Sequence, residues 1–139
     1  MQIKRLTPDL AVGPQISADD VGTIAALGFR SIIANRPDGE SADQPDFESL
    51  QAAAKRHGLE TRHIPVVASA IGDREIAAFR DALNELPRPI FAFCRTGTRG
   101  ALLWALANND TLTPDERMRT AAAHGYDLTA FIGRFAEPQ

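Results

Sequence analysis

The 139-residue chain has a single cysteine and no apolar run approaching the roughly 20 residues needed to span a bilayer. One cysteine closes no internal disulfide, so a reducing compartment is the expected home. The opening stretch, Met1-Gln-Ile-Lys-Arg-Leu-Thr-Pro8, has two basic residues but lacks the apolar core of a secretory signal. A cytoplasmic protein without membrane contact is therefore expected. Positive charge is not in excess either: 15 Lys and Arg stand against 18 Asp and Glu, a net charge of −3, with a pI near 5.6. That balance argues against a nucleic-acid partner gripped through its phosphates. His57, His63 and His124 have no metal-ligand spacing, and no further cysteine could complete a zinc set. Neither a Gly-x-Gly-x-x-Gly nor a Gly-Lys-Ser/Thr run offers a nucleotide cradle. No metal or cofactor is read, and no repeat, low-complexity segment or linker divides residues 1–139. What remains is 44% hydrophobic and 24% charged, the composition of one soluble domain with its own core.

Short apolar runs alternate with longer helical patterns, which predicts an α/β layer fold. Leu10-Ala-Val12 reads as a strand closed by Gly13-Pro14. Ser17 caps a helix over 19–27, with Asp20 as its reciprocal partner. Ser31-Ile-Ile-Ala34 is a second strand, followed by a loop at Asn35-Arg-Pro-Asp-Gly39. A helix over 47–57 stops at Gly58. Arg62-His-Ile-Pro-Val-Val67 reads as a third strand, which Pro65 confines to an end or an edge. Residues 73–86 carry Ile76, Phe79, Leu83 and Leu86 on one helical face. Ile90-Phe-Ala-Phe93 has no polar residue and is expected at the sheet centre, buried on both faces. A buried helix over 100–107 follows, then one begun by Thr113-Pro-Asp-Glu116 and ending near Gly125, and a last helix over 128–135. The expectation is a mostly parallel sheet of four to five strands with helices on both faces. Ligands of such sheets bind beyond the carboxyl ends of the strands.

Cys94 stands at that end of the central strand, directly before a helix, in the six-residue loop Cys94-Arg-Thr-Gly-Thr-Arg99. A helix N-terminus presents unpaired N–H groups and a positive dipole end, so it stabilises an anion. Gly97 permits the positive φ that an amide nest requires. Arg95 and Arg99 add two permanent charges, and such surroundings favour the thiolate over the thiol. Thr96 and Thr98 can donate hydroxyl bonds to the sulfur or to a bound oxyanion. The loop, together with Gly100, thus offers a nucleophile and a cradle for an anionic substrate. A lone cysteine after an apolar strand is otherwise a small core residue; the two guanidinium groups have no place in that reading. Asn35, Arg36, Asp38 and Glu40 follow a strand and share the same rim. Arg36 is a candidate for a second substrate charge, with Asp38 or Glu40 orienting an arginine; the alternative is a turn with solvated charges. Gln15 is a further rim candidate, and Trp104 is core.

Phe93-Cys-Arg-Thr-Gly-Thr-Arg99 resembles the active loop shared by rhodanese sulfurtransferases and cysteine-dependent phosphatases. With Gly13-Pro-Gln15, Gly28-Phe-Arg-Ser-Ile-Ile33, Asn35-Arg-Pro-Asp-Gly-Glu40, His63-Ile-Pro-Val66 and Trp104, the chain over 10–107 is similar to a bacterial family, the phosphatase-like domains of beta-lactamase-hydrolase-like proteins. That family is also described as one of sulfur transferases. The resemblance implies a protein-tyrosine/dual-specificity-phosphatase-like fold with Cys94 as nucleophile and Arg99 as oxyanion ligand. It also implies a link to sulfide metabolism, because some relatives are fused to a persulfide dioxygenase; here such an enzyme would be a separate partner.

Phosphatases of this fold resemble one another in having five residues between Cys and Arg; here there are four, as in rhodaneses. They also place an acidic residue a few positions after the strand that here reads His63-Ile-Pro-Val66. Val67-Ala-Ser-Ala-Ile-Gly72 offers no carboxylate before Asp73, whose simplest role is at a helix start. Asp38 or Glu40 remains a substitute acid. The reading this favours is a sulfurtransferase: Cys94 takes sulfur from a small anionic donor, thiosulfate or a low-molecular-weight persulfide, and passes it to a thiol acceptor. Two alternatives stand beside it. One is hydrolysis of a phosphorylated substrate through a phosphocysteine. The other is a module that binds an anion or persulfide without turnover.

Overall fold

Residues alternate between the two faces of a strand, so a strand apolar at every position needs a cover on both sides. In the computed structural model, which describes residues 2–107 and 111–134, five strands form one sheet. They are β1 (Lys4–Thr7), β2 (Leu10–Gly13), β3 (Ser31–Ala34), β4 (Glu60–His63) and β5 (Ile90–Phe93), in the spatial order β1-β2-β5-β3-β4. Four run parallel, and β1 folds back antiparallel on β2. β5 is paired along both edges, Leu10 to Gly13 on one side and Ser31 to Ala34 on the other. Its all-apolar sequence requires this central position.

The helices are α1 (Ala18–Ala26), α2 (Phe47–Arg56), α3 (Asp73–Glu85), α4 (Thr98–Ala107) and α5 (Pro114–Ala123). Ala11, Ile32, Ala34, Phe91 and Phe93 meet Val21 and Ile24 of α1 and Leu50 and Ala53 of α2 on one face. The alternate residues Val12, Ile33, Ile90 and Ala92 meet Phe79 and Leu83 of α3, Leu103 and Trp104 of α4, and Ala121 of α5 on the other. The sheet is therefore covered twice, as the sequence pattern requires. Ser17 with Asp20, and Thr113 with Glu116, form the two expected capping boxes. No helix among the described residues is long and apolar enough to cross a membrane.

Three details differ from the sequence expectations. β1 has one buried residue, Leu6, and so carries no apolar run to announce it. β4 ends at His63, because Pro65 has no N–H to continue a ladder, although Ile64 and Val66 still donate to Ala34 and Asn35 of β3 and its exit. The last helical segment is a 3-10 stretch, Thr129–Arg134, and Phe135 lies outside the described residues.

Phe79 has no exposed surface. Phe79→Ala is expected to cost about 3–5 kcal/mol through the cavity it leaves, measured as a lower urea midpoint at unchanged slope. Leu27, 53% exposed at the end of α1, should tolerate Leu27→Ala within about 0.5 kcal/mol.

Candidate active site

The four parallel strands end at one rim, and β5 delivers Cys94 to its middle. The turn from β5 into α4 is held on the β2 side by Cys94 N–H donating to the Gly13 carbonyl at 3.3 Å and by Gln15 N–H donating to Arg95 at 3.4 Å. Gly97 takes φ +100°, and a Cβ built there would run into the Tyr126 hydroxyl. No other residue fits that conformation and that space together. The outcome is a direct contact between sulfur and loop: Gly97 N–H donates to Cys94 Sγ at 3.0 Å. Cys94 is 1% exposed, at the mouth of α4, whose first bonds include Ala101 N–H to Gly97 O.

Tyr126 closes the loop from the α5 side, donating its hydroxyl to the Thr96 carbonyl at 3.2 Å. Burial first, and then the negative charge of a Cys94 thiolate, push its phenol above the ordinary value of 10.0. Tyr126 is thus a neutral donor. Thr96 and Thr98 pair with each other, oxygen to oxygen at 3.0 Å.

The arginines form one network. Arg99 grips Glu40 with both terminal nitrogens at 2.8 Å, and its Nη1 also donates to the Val66 carbonyl at 2.9 Å. Arg36 Nε donates to the same carboxylate at 2.9 Å, while its Nη1 donates to Gln15 Oε1 at 3.1 Å. The Arg36 carbonyl in turn sits 3.2 Å from His63 Nε2, whose ring stacks on Phe47. The bond from Arg99 holds Glu40 below its ordinary 4.5, opposed by partial burial and reinforced by Arg36. Arg99 is correspondingly raised, chiefly by Glu40 and further by Cys94. Glu40 is a fixed carboxylate at neutral pH, and it orients both guanidinium groups. Gln15, Arg36, Glu40, Asp43, Arg95 and Arg99 border an open cavity of about 820 Å³.

Of the residues singled out from sequence, Cys94, Arg95, Thr96, Gly97, Thr98 and Arg99 share the loop, and Arg36 and Gln15 face it across the cavity. Three residues expected to contact substrate have structural engagements of their own. Asn35 is wholly buried; its side-chain amide donates to the Ile64 carbonyl and its backbone N–H to Phe93, so it locks strand ends together. Asp38 accepts the Phe47 N–H at 2.9 Å and fixes the start of α2. Gly100 faces inward, toward Val12 and Ala92, and lets α4 approach the sheet. The two substitute acids fail for the same reasons, since Glu40 is engaged by two arginines and Asp38 by a backbone amide. Asp73 is exposed in the first turn of α3. Tyr126 and the Val66 carbonyl had no signal in the sequence, since each reaches the loop only through the fold.

Chemically, the arrangement joins a sulfur nucleophile to an amide and a pre-oriented guanidinium, the elements of an anion-transfer site. A family model described as the phosphatase-like domain of beta-lactamase hydrolase-like proteins matches residues 2–111. A beta-lactamase hydrolase-like protein of Xylella fastidiosa is 36% identical over 130 residues, covering 92% of this chain and 30% of its own length. The chain thus spans about three-tenths of the curated relatives it matches. A Neisseria meningitidis crystal structure, provisionally described as a phosphatase, is 37% identical with a TM-score of 0.87 and covers 96% of each chain. A kinase-associated phosphatase, solved with its catalytic cysteine replaced by serine, is 16% identical with a TM-score of 0.67, covering 88% of this chain and 80% of its own. That last likeness is one of fold, and it establishes the dual-specificity-phosphatase-like architecture.

Because Glu40 titrates below 4.5 in the folded chain, its links to the arginines add stability that is complete above about pH 4.5 and lost as pH falls through the lower native value. Between about pH 7 and pH 3.5 the unfolding free energy should drop more for the wild type than for Glu40→Gln. Urea midpoints of the two across this range measure the difference; parallel curves would mean that the network is not formed in solution.

Proposed function

The chain belongs to the family of phosphatase-like domains of beta-lactamase hydrolase-like proteins, and on that premise we propose that it is a cysteine-dependent phosphate monoester hydrolase. The observation that carries this reading is the Cys94 sulfur facing the Gly97 amide at 3.0 Å, on the same loop as an arginine held in place by Glu40. In the proposed reaction Sγ attacks phosphorus, an S–P bond forms, and the P–O bond to the leaving group breaks. Loop amides and Arg99 hold the non-bridging oxygens, and Arg36 and Arg95 meet further negative charge on the substrate. Water then attacks the phosphocysteine, the S–P bond returns its electrons to sulfur, and inorganic phosphate leaves. The Neisseria relative described as a phosphatase supports the reading, as does the catalytic cysteine of the kinase-associated phosphatase.

Phosphate release from an activated aryl phosphate tests it. Cys94→Ser should lose at least about 10³-fold in kcat/KM, and Arg99→Lys about 10²-fold, the cost of one misplaced oxyanion donor. Undiminished release by Cys94→Ser would overturn the reading.

Sulfur transfer is a second reading, favoured by the six-residue loop and by the exposed, carboxylate-free turn Ala68–Ala70 where an acid would stand. Cys94 would attack the outer sulfur of thiosulfate, sulfite would leave with the bonding pair, and a thiol acceptor would take the sulfur from the Cys94 persulfide. A persulfide dioxygenase would be the partner in that case. A mass gain of one sulfur atom on Cys94 with thiosulfate, without phosphatase activity, would favour it.

A further inference from the structure

We infer that the phosphorylated substrates of this site are those whose leaving group departs as a stable anion, namely aryl phosphates, acyl phosphates and phosphoanhydrides, rather than alkyl phosphates. This deepens the hydrolase reading and rests on it.

The inference follows from where every proton donor around the loop is committed. Glu40 is an ionised carboxylate shared by Arg99 and Arg36. Asp43 borders the cavity, but the Ser41 hydroxyl on its Oδ1 at 2.5 Å holds it below its ordinary value. Asp38 is occupied by the Phe47 amide, and Asp127 by Thr129. Asp73 is exposed at the start of α3, beyond the Ala68–Ala70 turn. His63 is stacked on Phe47 and directed at the Arg36 carbonyl. Tyr126 is a phenol made less acidic by burial, and its proton is given to Thr96. Thr96 and Thr98 share one hydrogen bond, oxygen to oxygen at 3.0 Å, and a threonine hydroxyl is far too weak an acid to protonate a leaving group near neutrality. The cations Arg36, Arg95 and Arg99 have no proton to spare near neutrality. Among the described residues, then, no group stands ready to protonate an oxygen leaving from phosphorus opposite Cys94.

The first step must therefore run without proton transfer. The S–P bond forms, the P–O bond breaks, and its electron pair leaves on oxygen; the proton arrives later, from water. A positioned acid is worth about 10²–10⁴-fold in rate. An alkoxide needs that help, whereas a phenolate, a carboxylate or a phosphate does not. The phosphocysteine step is the same for every substrate, so discrimination lies entirely in P–O cleavage. The parameter that reads it is kcat/KM, which reports the steps up to the first irreversible one.

The test is a series of phosphate esters of rising leaving-group basicity: dinitrophenyl, nitrophenyl and phenyl phosphates, acetyl phosphate and a phosphoserine peptide. The expected result is a kcat/KM that falls steeply with leaving-group basicity, with the phosphoserine peptide at least about 10²-fold below nitrophenyl phosphate. Asp43→Asn and Asp73→Asn should leave that steepness where it is. A flat dependence in the wild type, or a slope that steepens in either variant, would reveal a working acid and overturn the inference while leaving the hydrolase reading intact. Absence of Cys94-dependent phosphate release from dinitrophenyl and acetyl phosphate alike would defeat the hydrolase reading, and the inference with it.

Discussion

A cysteine that is 1% exposed and whose sulfur faces the backbone N–H three residues on at 3.0 Å requires the chain to reverse from strand to helix immediately beside it. Gly97 makes that reversal, with φ at +100° and no room for a side chain beside the Tyr126 hydroxyl. The constraint propagates in both directions. Upstream, β5 must be anchored on both edges so that Cys94 emerges at a fixed height, and the pairing of Phe93 with Gly13 and Ala34 provides this. Downstream, α4 must lie close to the sheet to aim its N-terminus at the sulfur. Gly100 against Val12 and Ala92 makes the approach possible, and burial of every residue from 100 to 107 holds it there. The apolar core is thus the mount for the loop, and burial of α4 fixes the direction of its dipole.

Arg36, Arg95 and Arg99 brought to one rim repel one another in the free protein, and Glu40 relieves part of that repulsion. One carboxylate takes a two-pronged bond from Arg99 and a single bond from Arg36. Because Glu40 is 26% exposed, solvent screening limits what these pairs add to stability. Their larger effect is on orientation. A planar guanidinium fixed by two parallel bonds and by the Val66 carbonyl has little freedom left to lose when it meets an oxyanion. The same arrangement has a chemical cost, because a carboxylate held by two cations gives up no proton.

How much of this was legible in the sequence depended on whether the signal was local. The apolar run of β5, the uniform burial of α4, both capping boxes and the cysteine–arginine loop are carried by neighbouring residues, and each appears in its expected place. β1 escaped notice because one buried leucine in four residues makes no pattern. Glu40 meets Arg99 across 59 positions and Tyr126 meets Thr96 across 30, and no periodicity reports contacts at such separations. Asn35 and Asp38 are ambiguous in the sequence for a related reason. A polar residue after a strand is equally suited to binding a ligand and to satisfying backbone groups, and only the positions of Ile64 and of the start of α2 decide between them. Loop length and the missing acid favour sulfur transfer, whereas the family and its relatives weigh toward phosphate hydrolysis.

Those two chemistries place the same demand on the leaving group and different demands on the oxygens. In a phosphoryl group the non-bridging oxygens sit on the atom that sulfur attacks, so the donors nearest Cys94 must hold them: the loop amides and Arg99. In thiosulfate the attacked sulfur bears no oxygen, and the charged oxygens lie one bond further from Cys94. The Glu40 network stiffens both Arg99 and Arg36, while Arg95 is exposed at the cavity edge. Rigidity is therefore concentrated in the two guanidinium groups that share one carboxylate, and Arg95 is the adaptable cation of the three. Preorganisation stabilises charge where it develops, and it is Arg99, on the same loop as the sulfur, that Glu40 holds by two bonds.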